Sequence, residues 1–153
     1  ESGADASLMR APYAWAHLEL GEVAAAQEIV GGAIAHARAE RDRIALVDGL
    51  RVRAMVAGRQ GRWDVAVADL EEGLALARGM PYPHAEARLL HVHGGTLAGK
   101  GEPGPARERL EAALATFRRL GARRDAEETE ATLATLSTRA DAPAVPPGHE
   151  RTG

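Results

Sequence analysis

Three groups of residues in this 153-residue chain have types and spacing that invite chemistry. The string GGTLAGKG, 94–101, places Gly94, Gly99 and Lys100 at the spacing of a phosphate-binding loop. Such a loop sits between a strand and a helix, cradles phosphate with backbone N–H groups and ends on a Ser or Thr that holds magnesium. Gly101 stands in the Ser/Thr place here and no strand precedes the string, so nucleotide binding is not expected. His84, His91 and His93 invite a metal. On a helix, however, residues two apart point to opposite sides, and His84 and His91 lie about two turns apart. Zinc needs i, i+4 spacing or ligands converging from several segments. Glu127, Glu128 and Glu130 read as a solvated face, and no Ser–His–Asp set can be assembled from sequence positions alone. The chain is therefore expected to be no enzyme and to use neither a cofactor nor a metal.

The elements that would position any site are helices. Aromatic residues are only 3% of the chain, β-branched residues are scarce, and Ala, Leu, Arg and Glu are abundant. Alanine has the best helix propensity because it loses no side-chain entropy on entering a helix. With few large residues, helices must approach closely through Ala and Gly faces to bury enough surface. A net charge of −3 gives no electrostatic case for nucleic acid, and no run approaches the length of a membrane span. The absence of cysteine excludes disulfides and fits a reducing, cytoplasmic setting. The chain starts with Glu1 rather than Met and with no signal-peptide pattern, as expected of a piece of a longer protein.

A repeat organises these helices. Segments from Gly21, Gly61 and Gly101 align without gaps at a spacing of forty. Identical columns are Gly21/Gly61/Gly101, Ala26/Ala66/Ala106, Ala35/Ala75/Ala115 and Arg38/Arg78/Arg118. Apolar residues recur at steps of three and four, which is one stripe of a helix. The stretches 8–20, 43–60 and 84–100 are helical too, each ending at the repeated glycine, a residue suited to the left-handed turn that stops a helix. Each repeat is thus helix A, a glycine turn and helix B. Pro81 and Pro83 break the chain between repeats, while Pro103 and Pro105 open a helix. The expected organisation is a helical domain over 1–137, with repeats at about 8–42, 43–82 and 83–121, a capping helix at 122–137, and a Pro/Gly/Ala-rich tail or linker at 138–153. The Arg38/Arg78/Arg118 column ends helix B, where a cation favours the negative end of the dipole.

The residues Gly61, Trp63, Ala66, Leu70, Gly73 and Leu74 resemble the tetratricopeptide repeat, as do the small helix A positions Ala14, Ala54 and Gly94. Val23 and Pro103 stand where that family has an aromatic residue, its usual proline near the end of helix B is not in place, and the period is forty rather than the common 34. Long repeats of this kind, with the ending GEPGPARERLEAALATFRRLGARRDAEETEATLATL, look like the helical region of large bacterial ATP-dependent transcriptional regulators of the maltose-regulon-activator type. The resemblance covers about residues 8–137. It implies an all-α, right-handed solenoid whose helix A residues line a concave face, and a role in regulation and signalling through protein–protein interaction or effector sensing.

By that resemblance the groove positions fall on Leu8, Ala11, Trp15, Leu18 and Glu19, then Asp48, Arg51, Met55, Gly58 and Arg59, then Arg88, His91, Gly95, Ala98 and Gly99. Trp15, Glu19, Asp48, Arg51, Met55, Arg59, Arg88 and His91 are the candidate partner-binding residues. Aromatic and methionine side chains are apolar anchors, and arginines hold carboxylates or phosphates bidentately. The implied partner is a protein, a peptide (acidic or C-terminal) or a small anionic effector, with neither DNA nor membrane contacted directly. The alternative expectation is a passive scaffold or a homo-oligomerisation module with no small ligand.

Overall fold

The computed structural model describes residues 3–142, and among them every regular element is a helix. Seven helices follow one another: α1 (Gly3–Glu19), α2 (Val23–Glu40), α3 (Arg43–Arg59), α4 (Trp63–Ala77), α5 (Pro83–Lys100), α6 (Pro103–Leu120) and α7 (Arg123–Ala140). The all-α expectation holds. Two boundaries move outward. Helix α1 begins at Gly3 rather than near residue 8, and α7 runs to Ala140 rather than 137. At the expected end the hydroxyls of Ser137 and Thr138 donate to the carbonyls of Leu133 and Ala134 instead of diverting the backbone into a turn, and the helix runs on. Most of the expected tail, from residue 143 onward, lies outside the described residues.

The chain turns in the same way again and again. Gly21, Gly61, Gly101 and Gly121 all have positive φ, between 69° and 93°, and Arg41 joins them at 55°. At each of these turns the next residue's N–H donates back five residues: Glu22 to His17, Asp42 to Ala37, Arg62 to Ala57, Glu102 to Leu97 and Ala122 to Phe117. This is the Schellman closure, which satisfies carbonyls that the last helical turn leaves open. The break in the series falls where residues 81–83 read Pro-Tyr-Pro. Proline has no N–H to donate and its φ is fixed negative, so α4 stops early, at Ala77, and α5 starts on Pro83.

Each helix packs on its neighbours in sequence, and the odd helices also pack on one another in order: α1 on α3, α3 on α5, α5 on α7. Among the described residues the backbones of α2 and α4, and of α4 and α6, nowhere come within 8 Å of each other, although the long Arg38 side chain reaches from α2 to α4. The odd helices therefore form a continuous row, and each even helix packs against the odd helices before and after it. Small residues set the approach of the pairs. Ala14, Ala54, Ala26, Ala66 and Ala106 are wholly buried. A methyl group built on Gly94 would lie 2.5 Å from Leu110 Cγ and 3.0 Å from the Ala106 carbonyl oxygen. Forty residues on from Gly94, Ala134 of α7 is exposed, since no described helix follows to cover it. Leu18, Val30, Leu50, Leu70, Leu89, Leu110 and Phe117 fill the space between the layers. The Arg38/Arg78/Arg118 column ties helices together: Arg38 pairs with Glu72, Arg78 with Glu86 and Arg118 with Glu130.

Candidate functional site

Most of the candidate residues meet among the odd helices. Trp15, Arg51, Met55, Arg88 and His91 line one cavity of about 130 Å³, together with Val92, Phe117, Asp125 and Glu128. Asp48, Arg51 and Arg88 also line an adjoining cavity of about 190 Å³, whose other walls include Ile44, Met80 and Tyr82. Helices α1, α3, α5 and α7 thus each contribute. The contributing residues recur every forty positions: Trp15 with Met55, Arg51 with His91, and Asp48 with Arg88 and Glu128. A stacked row of helices in constant register brings such columns to one face.

The remaining candidates stand elsewhere. Glu19 and Arg59 face each other across α1 and α3 at 3.6 Å, both about half exposed, and line neither cavity. Of the wider groove set, Ala11 and Leu18 are buried, and Leu18 serves the core. The Gly58 and Gly99 positions both lie against the ring of Trp63, which is half-buried. Gly95, Ala98 and Gly99 line a separate hollow shared with α7. Trp15 keeps 39% of its surface exposed, so it is a ring offered to solvent rather than a core residue.

Arg51 is the buried charge of the face, with 6% of its surface exposed. Its Nε and Nη2 donate to Asp48 Oδ1 at 3.0 and 2.9 Å, and its Nη1 lies 3.4 Å from Met55 Sδ. Burial lowers the guanidinium pKa, and the Asp48 carboxylate opposes that shift. Arginine remains protonated under such opposition. Arg88 Nη1 reaches the same Asp48 oxygen at 3.8 Å. His91 Nδ1 is 2.8 Å from Thr129 Oγ1, whose own hydroxyl donates to the Asp125 carbonyl, so that the His91 ring donates to Thr129. Burial lowers the pKa of His91; Glu128 and Asp125 pull it the other way.

The other groups singled out in the sequence resolve differently. GGTLAGKG is the last turns of α5 and its left-handed cap at Gly101. Its N–H groups serve the helix, and a helix C-terminus presents carbonyls, which repel phosphate. Lys100 pairs with Asp64 at 3.1 Å and Glu102 at 3.3 Å. Of the histidines, His84 Nε2 lies 3.1 Å from Asp125 Oδ2, while His93 is buried with no partner for its Nδ1. Among the described residues no three His, Asp or Glu side chains gather as metal ligands, and no helix is long and apolar enough to cross a membrane.

Glu128, expected on a solvated face, lines the cavity instead, beside Asp125, which no sequence feature singles out. The segment after Gly121 lacks a helix B partner to align, so it reads as a cap with a solvated acidic face. Extending the period of forty from Arg43 and Pro83 to Arg123 identifies α7 as another helix A, with Glu128 in the Asp48/Arg88 column.

Burial also lowers the pKa of His93, and Arg109 nearby adds to the shift. A histidine depressed in the native state stays neutral there while its unfolded form takes up a proton below about 6.5. Stability contributed by keeping His91 and His93 neutral is whole above that value and falls as pH drops beneath it, toward the lower native pKa. Each proton that only the unfolded chain binds steepens the loss by about 1.4 kcal/mol per pH unit. Urea unfolding between neutral pH and about pH 5 is expected to show this slope, and His93→Leu is expected to flatten it. An unchanged slope in His93→Leu would contradict the assignment of His93.

No family model matches the chain, and no curated protein matches it closely enough to be a relative.

Proposed function

We propose that the chain is a tetratricopeptide-like solenoid that acts as a regulatory interaction module, taking a protein, peptide or effector on the face of its odd helices. The observation that carries this reading is the convergence of Trp15, Arg51, Met55, Arg88 and His91, from three helices, on one cavity. Concave sites with apolar walls and a few placed polar groups are where ligands bind. An exposed tryptophan beside arginine is also the composition of an interface anchor. The repeat of forty and the row of odd helices support a right-handed superhelix of long repeats, the architecture of the helical region in large bacterial ATP-dependent transcriptional regulators. In that setting the module senses its partner and passes the state to a DNA-binding or ATPase domain in the cytoplasm.

An array of short peptides probed with the wild type and with Trp15→Ala plus Arg88→Ala tests the face. Both side chains are partly exposed, so the variant is expected to fold and to lose binding by about tenfold or more, as truncated anchors do. Binding that survives the double substitution removes the face from the proposal.

A second reading, an oligomerisation module, is favoured by α1. Met9 and Tyr13 on it, and Leu20 just after its end, are exposed at 65%, 59% and 75%. It requires a mass by light scattering that rises with concentration and falls back in Tyr13→Glu.

A further inference from the structure

The charge on this face is not the charge its arginines suggest. Around the two adjoining cavities Arg51 and Arg88 supply the cations, while Asp48, Asp125 and Glu128 supply more carboxylate than they neutralise. Both guanidiniums are turned onto the protein's own Asp48, at 2.9 Å from Arg51 and 3.8 Å from Arg88. An incoming anion would have to displace Asp48 from a buried partner, and leaving a buried charge unpaired is costly.

Asp125 and Glu128 are held more loosely. Asp125 meets His84 at 3.1 Å, and Glu128 meets Arg124 at 3.2 Å. All four side chains are at least 36% exposed, and water screens exposed pairs of this kind so that they contribute little. A new cation can exchange into them. Trp15 lines the same cavity, and an aromatic ring beside carboxylates suits a guanidinium or ammonium group. The adjoining cavity is walled by Ile44, Val47, Met80 and Tyr82, so it suits an apolar side chain. At about 130 and 190 Å³ the cavities are side-chain sized. Both fall short of the roughly 300–1,000 Å³ that takes a drug-sized ligand.

From this we infer, resting on the reading of the face as a partner-binding surface, that the occupant is a peptide segment pairing a basic residue with a bulky apolar one. The arginine or lysine enters among Trp15, Asp125 and Glu128. The apolar side chain enters the Ile44–Met80–Tyr82 cavity, and the peptide backbone crosses Arg88, which borders both. The two cavities share Arg51 and Arg88 as walls, and in an extended peptide side chains two apart lie on one side at about 7 Å, which is the spacing the proposal assigns to the two anchors.

The test is an array of blocked peptides with one apolar residue (Leu, Phe or Trp) and one charged residue (Arg, Lys, Asp or Glu) two positions apart. Peptides with a basic residue are expected to bind at least about tenfold tighter than their acidic counterparts. Asp125→Asn plus Glu128→Gln is expected to weaken the best binder by about tenfold and to leave melting unchanged. Tighter binding of acidic peptides that is lost in Trp15→Ala plus Arg88→Ala overturns the basic class while the partner face stands. So does binding indifferent to the Asp125/Glu128 substitutions. Failure of every peptide to bind overturns both.

Discussion

Replacing Arg53 by alanine is expected to destabilise the protein by about 2–3 kcal/mol, more than any surface substitution of similar size. Arg53 of α3 donates from Nε and Nη2 to the two oxygens of Asp69 in α4, at 2.8 and 2.7 Å. The Asp69 side chain is 8% exposed, so truncating Arg53 leaves a carboxylate almost out of water with its fork of donors gone. A wholly buried pair broken in this way costs about 3–5 kcal/mol. The lower figure applies because Arg53 itself keeps 36% exposure and water can enter beside Asp69. The hydrogen bond to Asp69 raises the Arg53 pKa, and burial opposes it only in part. Converting both residues to apolar ones of similar size, Arg53→Met with Asp69→Leu, is expected to restore most of the loss, because neither charge then needs a partner. Urea midpoints of the single and double variants at neutral pH measure it. A single variant within about 0.5 kcal/mol of the wild type would show the bridge to be ornamental.

The forty-residue register gives that bridge a wider meaning. The positions of Arg53 and Asp69 are held one repeat later by His93 and Arg109, and one repeat earlier by Tyr13 and Ile29. One location between paired helices is therefore apolar, then ionic, then doubly basic. The doubly basic version explains why Arg109 acts with burial to keep His93 neutral.

Helices, turns and close-packed positions were legible in the sequence because each depends on a local signal: a 3.6-residue stripe, a glycine at the left-handed position, a small residue at Ala14, Ala54 and Gly94. The convergence of Trp15, Met55, Arg51 and His91 was legible through the family resemblance and the period. Pairings between different helices were not, since joining Arg53 to Asp69 requires the relative rotation of α3 and α4, which no single helix records. Arg51 is an intermediate case. It reads as a free groove arginine, yet Asp48 three residues before it on the same helix is close enough to occupy it. The acidic contribution of α7 was hidden for a different reason. A helix A read by itself offers half a repeat to align.

Adjacent glycines in α5 are expected to respond in opposite directions to the same substitution. Alanine in a helix interior is favoured over glycine by about 1 kcal/mol, because glycine loses more backbone freedom on folding. At Gly95 nothing lies within 4 Å of the added methyl group, so Gly95→Ala is expected to gain most of that amount. At Gly94 the methyl would meet Leu110 Cγ at 2.5 Å, Leu110 Cδ2 at 2.8 Å and the backbone carbonyl of Ala106 at 3.0 Å. Leu110 is wholly buried and the carbonyl belongs to α6, so neither can swing aside. The helices must part, and overpacking of this kind costs typically about 1–3 kcal/mol. The loss exceeds the propensity gain, and Gly94→Leu, which forces three more carbons into the same seam, is expected to exceed it further or to prevent folding. Because α5 and α6 hold the wall on which Arg88 and His91 stand, Gly94→Ala is also expected to weaken binding at the cavity, whereas Gly95→Ala leaves it intact. Thermal unfolding of the two alanine variants side by side decides the matter. Equal shifts in the same direction would mean that α5 and α6 do not touch through Gly94, and the close approach of that helix pair would be lost with it.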